Sequence, residues 1–245
     1  MAPEAPEPAG FGNCRECAYV ATGTAAICFD CASQTIEEVA RDRCMTCDGR
    51  LSEHGRCGNP LCNDTPAQRG WEFIFAIAMR SGVLQRALNE YKYDGVQGWA
   101  WIFGRVLVGY LEQNPHLGIE WTHIIPMPTY VGAGGRDFDH IDLIVERAAI
   151  EGPGLPFNRK LMRRTKATPR LVEQSGFRAR AEVAEREFGP ALDVLDPAAI
   201  EGQSVLVFDD VFTSGLTLRE VARKLKQAGA SDVGGIVLAR QPFRS

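Results

Sequence analysis

The chain has 245 residues, 45% hydrophobic and 24% charged, with 25 Gly, 14 Pro, 8 Cys and a formal net charge of −4 at pH 7. That composition excludes a disordered, collagen-like or fibrous chain, and the acidic balance excludes a surface that wraps nucleic acid as a whole. The longest apolar run, Trp71 to Met79, already contains Glu72 and stops at Arg80, well short of the ~20 residues that span a bilayer.

Residues 1–10 (MAPEAPEPAG) have neither a basic start nor an apolar core. They read as a disordered Pro/Ala/Glu tail rather than a secretory signal, and a cytoplasmic location is expected. All eight cysteines follow in four pairs: Cys14 with Cys17, Cys28 with Cys31, Cys44 with Cys47, and Cys57 with Cys62. A reducing compartment disfavours disulfides. A C-x-x-C turn aims two thiolates at one ion, and two such turns complete a tetrahedral site. Residues 11–65 are therefore expected to form a double zinc-binding module with two structural Zn2+ ions. Sequential pairing joins Cys14, Cys17, Cys28 and Cys31, then Cys44, Cys47, Cys57 and Cys62. It closes loops of only ten and nine residues within the sets, whereas crossed pairing costs longer loops. Four thiolates close each site, so the ions brace a segment too small to build its own core rather than catalyse. His54 is a surplus donor expected at the surface. Residues 33–43 (SQTIEEVARDR) read as a short helix capped by Ser33 or Thr35.

Over residues 1–65 there are five Arg, no Lys and ten Asp or Glu, a net of −5. Such a module suits a protein partner better than phosphate.

From residue 66 the pattern alternates between strand and helix. Trp71–Ala78 reads as a strand or the start of a buried helix. Val83–Tyr93 and Trp99–Gln113 read as helices, from apolar residues at three- and four-residue steps. Thr122–Ile125 is a short buried strand, followed by a Gly-rich loop (Gly132, Gly134, Gly135) and a helix over about Phe138–Ile150. Ser175–Glu187 is a charged helix, Ser204–Phe208 a β-branched strand, Leu216–Gln227 an amphipathic helix stopped by Gly229, and Val233–Ala239 a last strand. The alternation implies an α/β domain over 66–245 with a mainly parallel sheet flanked by helices.

The most informative stretch is VLVFDDVFTSGLT, Val205 to Thr217. An apolar strand ends in Asp209 and Asp210; a Thr/Ser/Gly turn and a helix follow. Ligands of open α/β sheets bind beyond such strand ends. Thr213, Ser214, Gly215 and Thr217 suit a phosphate, through free helix N-terminal amides, hydroxyls and a backbone that Gly215 leaves open. Asp209 and Asp210 suit a sugar diol or a hydrated Mg2+. Asp and Ser/Thr acting only as helix caps would explain the two aspartates alone, but not the whole run.

That run resembles the ribose-phosphate signature of type I phosphoribosyltransferases, in which four hydrophobic residues precede two acidic ones and a Thr/Ser/Gly-rich turn. Tyr91-Lys92-Tyr93-Asp94-Gly95 resembles the KY-x-G segment of the ComF-type competence-protein family. Pro126-Met127-Pro128 with Arg136-Asp137-Phe138-Asp139-His140 resembles that family's P-x-P … RGFNQ segment. Cysteine knuckles ahead of a phosphoribosyltransferase-like domain are also its arrangement. The chain departs from the pattern in having Asp137, Phe138, Asp139 and His140 where Gly-Phe-Asn-Gln is common, and Arg170 at a usual Gln.

The resemblance implies 5-phosphoribosyl 1-pyrophosphate (PRPP) with Mg2+ as ligand, an unidentified acceptor, and a link to DNA uptake or nucleotide salvage. It implies that Val211, Phe212, Thr213, Ser214, Gly215, Leu216 and Thr217 hold the 5-phosphate, and that Asp209 and Asp210 orient the ribose hydroxyls and hydrated metal. Thr129, Tyr130, Arg136 and Arg164 would grip pyrophosphate, with the Val131 backbone beside them. Asp209, Asp210 and Arg136 are thus the catalytic set. Residues 159–186, with nine Lys or Arg against three Glu, sit about where a hood closes in the family fold; a solvated basic face is the plainer reading. As a track for single-stranded DNA the stretch has only Phe177 for stacking. Lys92 reads as a snorkelling surface residue, His123 as structural, His140 as a weaker candidate proton acceptor, and Trp71, Trp99, Trp101 and Trp121 as packing. The competing function is a non-catalytic adaptor that senses PRPP or nucleotide and docks a protein through the acidic zinc module.

Overall fold

The computed structural model describes residues 36–242. Cys14, Cys17, Cys28 and Cys31, and the first part of the predicted 33–43 helix, lie outside them. Four parallel strands form the central sheet in the order β1-β6-β5-β2: β1 is Ile74–Met79, β2 His123–Pro126, β5 Ser204–Phe212 and β6 Asp232–Arg240. A two-stranded antiparallel ribbon joins β3 (Met162–Arg164) to β4 (Leu192–Val194). Helices α1 (Gly82–Tyr93), α2 (Trp99–Gln113), α3 (His140–Glu151), α4 (Gly176–Val183) and α5 (Leu216–Gln227) follow the chain. The expected α/β class, a mainly parallel sheet flanked by helices, is the one observed.

Burial on both faces explains the near-continuous apolar strands. In β5, Val205, Leu206, Val207 and Phe208 are all buried, as are Val233, Ile236, Val237 and Leu238 in β6. Helix α2 is apolar almost all round because α3 and α1 cover it. At the α2–α3 crossing, a Cβ on Gly104 would sit 2.9 Å from Ala148 N, so only glycine allows that approach. Trp71, Trp99 and Trp121 are core residues, while Trp101 carries the Arg147 guanidinium on its ring at 4.3 Å.

Three expectations need correction. Residues 36–43 are not helical. Their backbone pairs elsewhere: Glu37 O accepts from Met79 N at 2.8 Å and Asp42 O from Leu51 N at 3.1 Å. Partners across the β1 end and the cysteine turn outcompete a weak local helix. Strand β5 does not end at Phe208 but runs to Phe212, because β6 continues beside it, with Asp209 opposite Val237 and Val211 opposite Ala239. Asp209 and Asp210 therefore lie within the strand. The charged helix ends at Val183 and continues as a wider π-type turn, Ala184–Phe188, that buries Ala184 and Phe188.

Candidate functional site

Strand β5 lies between β6 and β2, and β5 connects through α5 to β6 on one side while β2 enters from the other. The crevice at these strand ends is where an open sheet binds ligands. A cavity of about 460 Å³ occupies it. Its lining includes Asp209, Asp210, Thr213, Ser214, Gly215 and Thr217 from the end of β5 and the turn into α5. Thr129, Tyr130 and Arg136 come from the loop after β2, and Arg164 from β3. The residues singled out in the sequence are thus brought to one place. Leu216 is the exception, since its side chain is buried in the core and only its backbone faces the turn.

The turn is shaped by glycine. Gly215 has φ 83°, and a Cβ there would lie 2.7 Å from Phe212 Cζ and 3.1 Å from Trp71. It places the first amides of α5, which have no carbonyl one turn back, at the cavity. On the opposite side, the loop after β2 curls on itself: Arg136 N donates to Tyr130 O at 3.0 Å and Gly135 N to Gly132 O at 2.8 Å. A Cβ on Gly135 would strike Tyr130 O at 2.5 Å.

The two aspartates have separate environments. Asp210 is 3% exposed. Lys92 Nζ sits 2.6 Å from its Oδ2 and His140 Nε2 3.5 Å from the same oxygen. Burial alone would raise Asp210, but the Lys92 ammonium and the His140 ring hold it far below the usual carboxylate range. Asp209, on the opposite face of the strand, feels the Lys92 charge less than it feels its own burial. Burial, then the Asp210 charge, push it up to about 8.

Lys92 is therefore not a snorkelling surface residue. Three consecutive side chains at the end of α1 serve the site. Tyr91 Oη donates to His140 O at 2.5 Å, Lys92 pairs with Asp210, and Tyr93 lies under the Arg136 guanidinium at 5.7 Å. Lys92 O also accepts from Arg136 Nη1 at 3.3 Å. The KY-x-G segment was the available signal; only the fold shows the ammonium turned inward. His140 is buried against Asp210 and also lines the cavity. His123 is structural, as expected, with Nε2 3.0 Å from Ala199 O.

Arg80, Lys92, Arg136, Arg164, Arg170 and Arg180 all line the cavity, against the two aspartates as its carboxylates. Burial, then the nearby Arg136 charge, lower Arg164. Two guanidiniums that repel one another across a cleft are stabilised by an anion between them.

The second cysteine set forms a cluster at the other side of the β1–β6 edge. Cys44, Cys47, Cys57 and Cys62 place their sulfurs within 4.8 Å of one another, and Cys47 and Cys57 are 3.6 Å apart. The edge of a tetrahedron with Zn–S bonds of ~2.3 Å is about 3.8 Å, so the donor set fits one zinc ion. The four groups cannot all ionise unaided. A hydrogen bond from Cys62 brings Cys47 down to about 4, while burial pushes Cys57 up to about 11 and the hydrogen bond to Cys47 drives Cys62 higher still. A divalent cation would hold such a set ionised. His54 is exposed, as expected for a surplus donor.

Residues 142–244 match the family described as "Phosphoribosyl transferase domain". Over 216 residues, 87% of this chain and 87% of its relative, the chain is 24% identical to "Competence protein ComFC" of Streptococcus pneumoniae. Over 44 residues, 18% of this chain, it is 50% identical to "Orotate phosphoribosyltransferase" of Acinetobacter baumannii. That match spans only 20% of the Acinetobacter protein's length. Among the described residues no helix is long and apolar enough to cross a membrane.

Proposed function

We propose, from the premise that the C-terminal part of this ComF-type chain is a phosphoribosyl transferase domain, that its cavity binds PRPP with Mg2+ and transfers the ribose 5-phosphate to an acceptor. The carrying observation is that one cavity is lined by a Ser/Thr/Gly helix N-terminus, by Asp209 and by the Arg136 and Arg164 guanidiniums. A sugar with a phosphate at C5, ring hydroxyls and a pyrophosphate at C1 offers a partner to each of the three.

In this reading the amides and hydroxyls of 213–217 hold the 5-phosphate. Asp209 takes the ribose hydroxyls and the hydrated Mg2+, whose chemistry is to neutralise pyrophosphate oxygens. Asp210 is already committed to Lys92 and His140 and acts by fixing the strand end. The C1–oxygen bond breaks toward an oxocarbenium-like state as the acceptor's electron pair forms the new bond at C1. Pyrophosphate leaves with the bonding pair, and Arg136 and Arg164 offset its charge. No covalent enzyme intermediate is needed. Two zinc ions per full chain, one on each cysteine set, hold the N-terminal module together.

Calorimetry of PRPP with Mg2+ tests the assignment. Asp209→Asn is expected to weaken binding about 10- to 100-fold, the range for a hydrogen bond to a charged group; unchanged affinity would refute the diol grip. Pyrophosphate release with a panel of nucleobases and other nucleophiles identifies the acceptor. Tight binding with no release by any acceptor would favour the sensing adaptor.

A further inference from the structure

The cysteine turn at 44–49 and the turn at 213–217 lie far apart in sequence, yet two buried side chains join them. Arg240, the last residue of β6, is 0% exposed. Its Nε donates to Cys47 O at 2.8 Å, and its Nη2 lies 3.5 Å from Cys47 Sγ. Its Nη1 donates to the carbonyls of Phe212 and Thr213, both at 3.1 Å, and of Gln241 at 2.6 Å. The guanidinium also stacks over the Phe212 ring at 4.9 Å. Gly49 makes room: a Cβ there would lie 2.8 Å from Arg240 Nη2 and 3.2 Å from Cys47 Sγ.

Asn59, equally buried, makes the second link. Its Oδ1 accepts from Leu61 N at 3.2 Å, and its backbone O from Cys62 N at 3.0 Å, so it shapes the turn that presents Cys62. Its Nδ2 donates to Ser214 O at 3.1 Å.

Three successive carbonyls, those of Phe212, Thr213 and Ser214, are thus held from the cysteine side. In a trans peptide the C=O of one residue and the N–H of the next point in opposite directions. Holding those carbonyls turns the amides of 213, 214 and 215 the other way, the arrangement that makes an anion-binding nest. A zinc ion on four thiolates carries a net charge of about −2, and the Arg240 guanidinium is the cation placed against it.

We infer that the Cys44/Cys47/Cys57/Cys62 cluster is the scaffold that shapes the anion-binding turn, with Asn59 and Arg240 as positioning residues that couple metal occupancy to binding at 213–217. The ligand in this coupling rests on the PRPP reading; the brace itself does not, and the experiment separates them.

Hydrogen exchange on the full chain, read by mass spectrometry, tests the brace without any sugar phosphate. Stripping zinc with a chelator is expected to speed exchange of the Arg219 and Gln241 amides, which donate to Gly215 O and Phe212 O, at least about tenfold while α2 keeps its protection. If stripping unfolds the whole chain, zinc-loaded Asn59→Ala decides against zinc-loaded wild type: exchange of the Arg219 and Gln241 amides about two- to tenfold faster, with α2 unchanged, supports the brace. Wild-type protection of the Arg219 and Gln241 amides in zinc-loaded Asn59→Ala overturns it. The reciprocal readout is zinc release to a chelator, which PRPP should slow in wild type and slow less in Asn59→Ala. Equal slowing in both overturns the coupling. A wild-type chain that binds no PRPP refutes the ligand reading alone, and the exchange result still decides the brace.

Discussion

The two ends of the cavity are made of different materials. At the 213–217 end the anion-facing groups are backbone amides and short hydroxyls, set by a strand deep in the sheet, by Gly215 and by Arg240 and Asn59 behind them. At the other end they are the long side chains of Arg136, Arg164, Arg170 and Arg180, carried on loops, on β3 and on α4. Arg170 and its neighbour Val172 are exposed, whereas Phe212, Gly215 and Leu216 are buried. The first end is preorganised and loses little entropy when an anion arrives. The second must order rotamer-rich cations, so its grip strengthens only when the ligand supplies enough charge. A fixed anchor for the part of a substrate that does not react, and an adaptable one for the part that leaves, is the division this difference teaches.

The largest expected effect lies on the floor between the ends. Lys92→Met leaves the Asp210 carboxylate buried without its ammonium and should cost about 3–5 kcal/mol of stability, read by denaturant unfolding. A loss under about 1 kcal/mol would show the pair to be solvated and would undo the contrast drawn between Asp209 and Asp210. Next, Gly215→Ala forces a side chain onto a left-handed backbone and into Phe212. It should destabilise by about 2–4 kcal/mol and abolish binding of ribose 5-phosphate, which engages only the preorganised end. Arg136→Lys sharpens the contrast from the opposite side. PRPP affinity should fall about 10- to 100-fold, through loss of the planar bidentate fork, while ribose 5-phosphate binds as before. Equal losses for both ligands would mean that the two ends are not separate.

The smallest effect is that of pH. Asp209 is raised, so the unliganded chain holds a proton there up to about 8, and a cation or diol needs the carboxylate. PRPP–Mg2+ affinity should therefore rise with pH, by at most about tenfold per unit, and level off above about 8. Folding stability at this group runs the other way. The folded state binds the extra proton between the ordinary value of 3.8 and about 8, so stability falls as pH rises through that window. Asp210 is lowered, and its contribution is lost only as pH falls below 3.8. Calorimetry from about pH 6 to about pH 9, in buffers of different ionisation enthalpy, would detect the released proton.

Much of the fold was legible because its elements are strongly periodic. Trp99–Gln113 and Leu216–Gln227 were expected with the bounds observed, since an apolar helix core and a polar-faced amphipathic helix announce themselves at 3.6-residue spacing. The anion-binding turn was legible because glycine and hydroxyl residues at fixed offsets after a strand have few other uses. The ribbon of β3 and β4 was missed, since three-residue strands carry no period. Residues 36–43 were misread because an apolar spacing compatible with a helix is equally compatible with an extended edge segment once a strand is there to pair with.

Local chemistry was enough to place a strand, a turn and a helix between 204 and 227, the Cys44–Cys47 pair on one turn and the acidic balance of residues 1–65, because each depends on residues a few positions apart. Tertiary structure alone decided that Lys92 turns inward to Asp210, that the adjacent aspartates titrate in opposite directions, and that Arg240 and Asn59 tie the cysteine turn to the 212–214 carbonyls. Those outcomes depend on burial and on partners 118, 155 or 193 positions away in the chain, where the desolvation and pairing energies that govern a buried charge are set by the packed environment and leave no local trace.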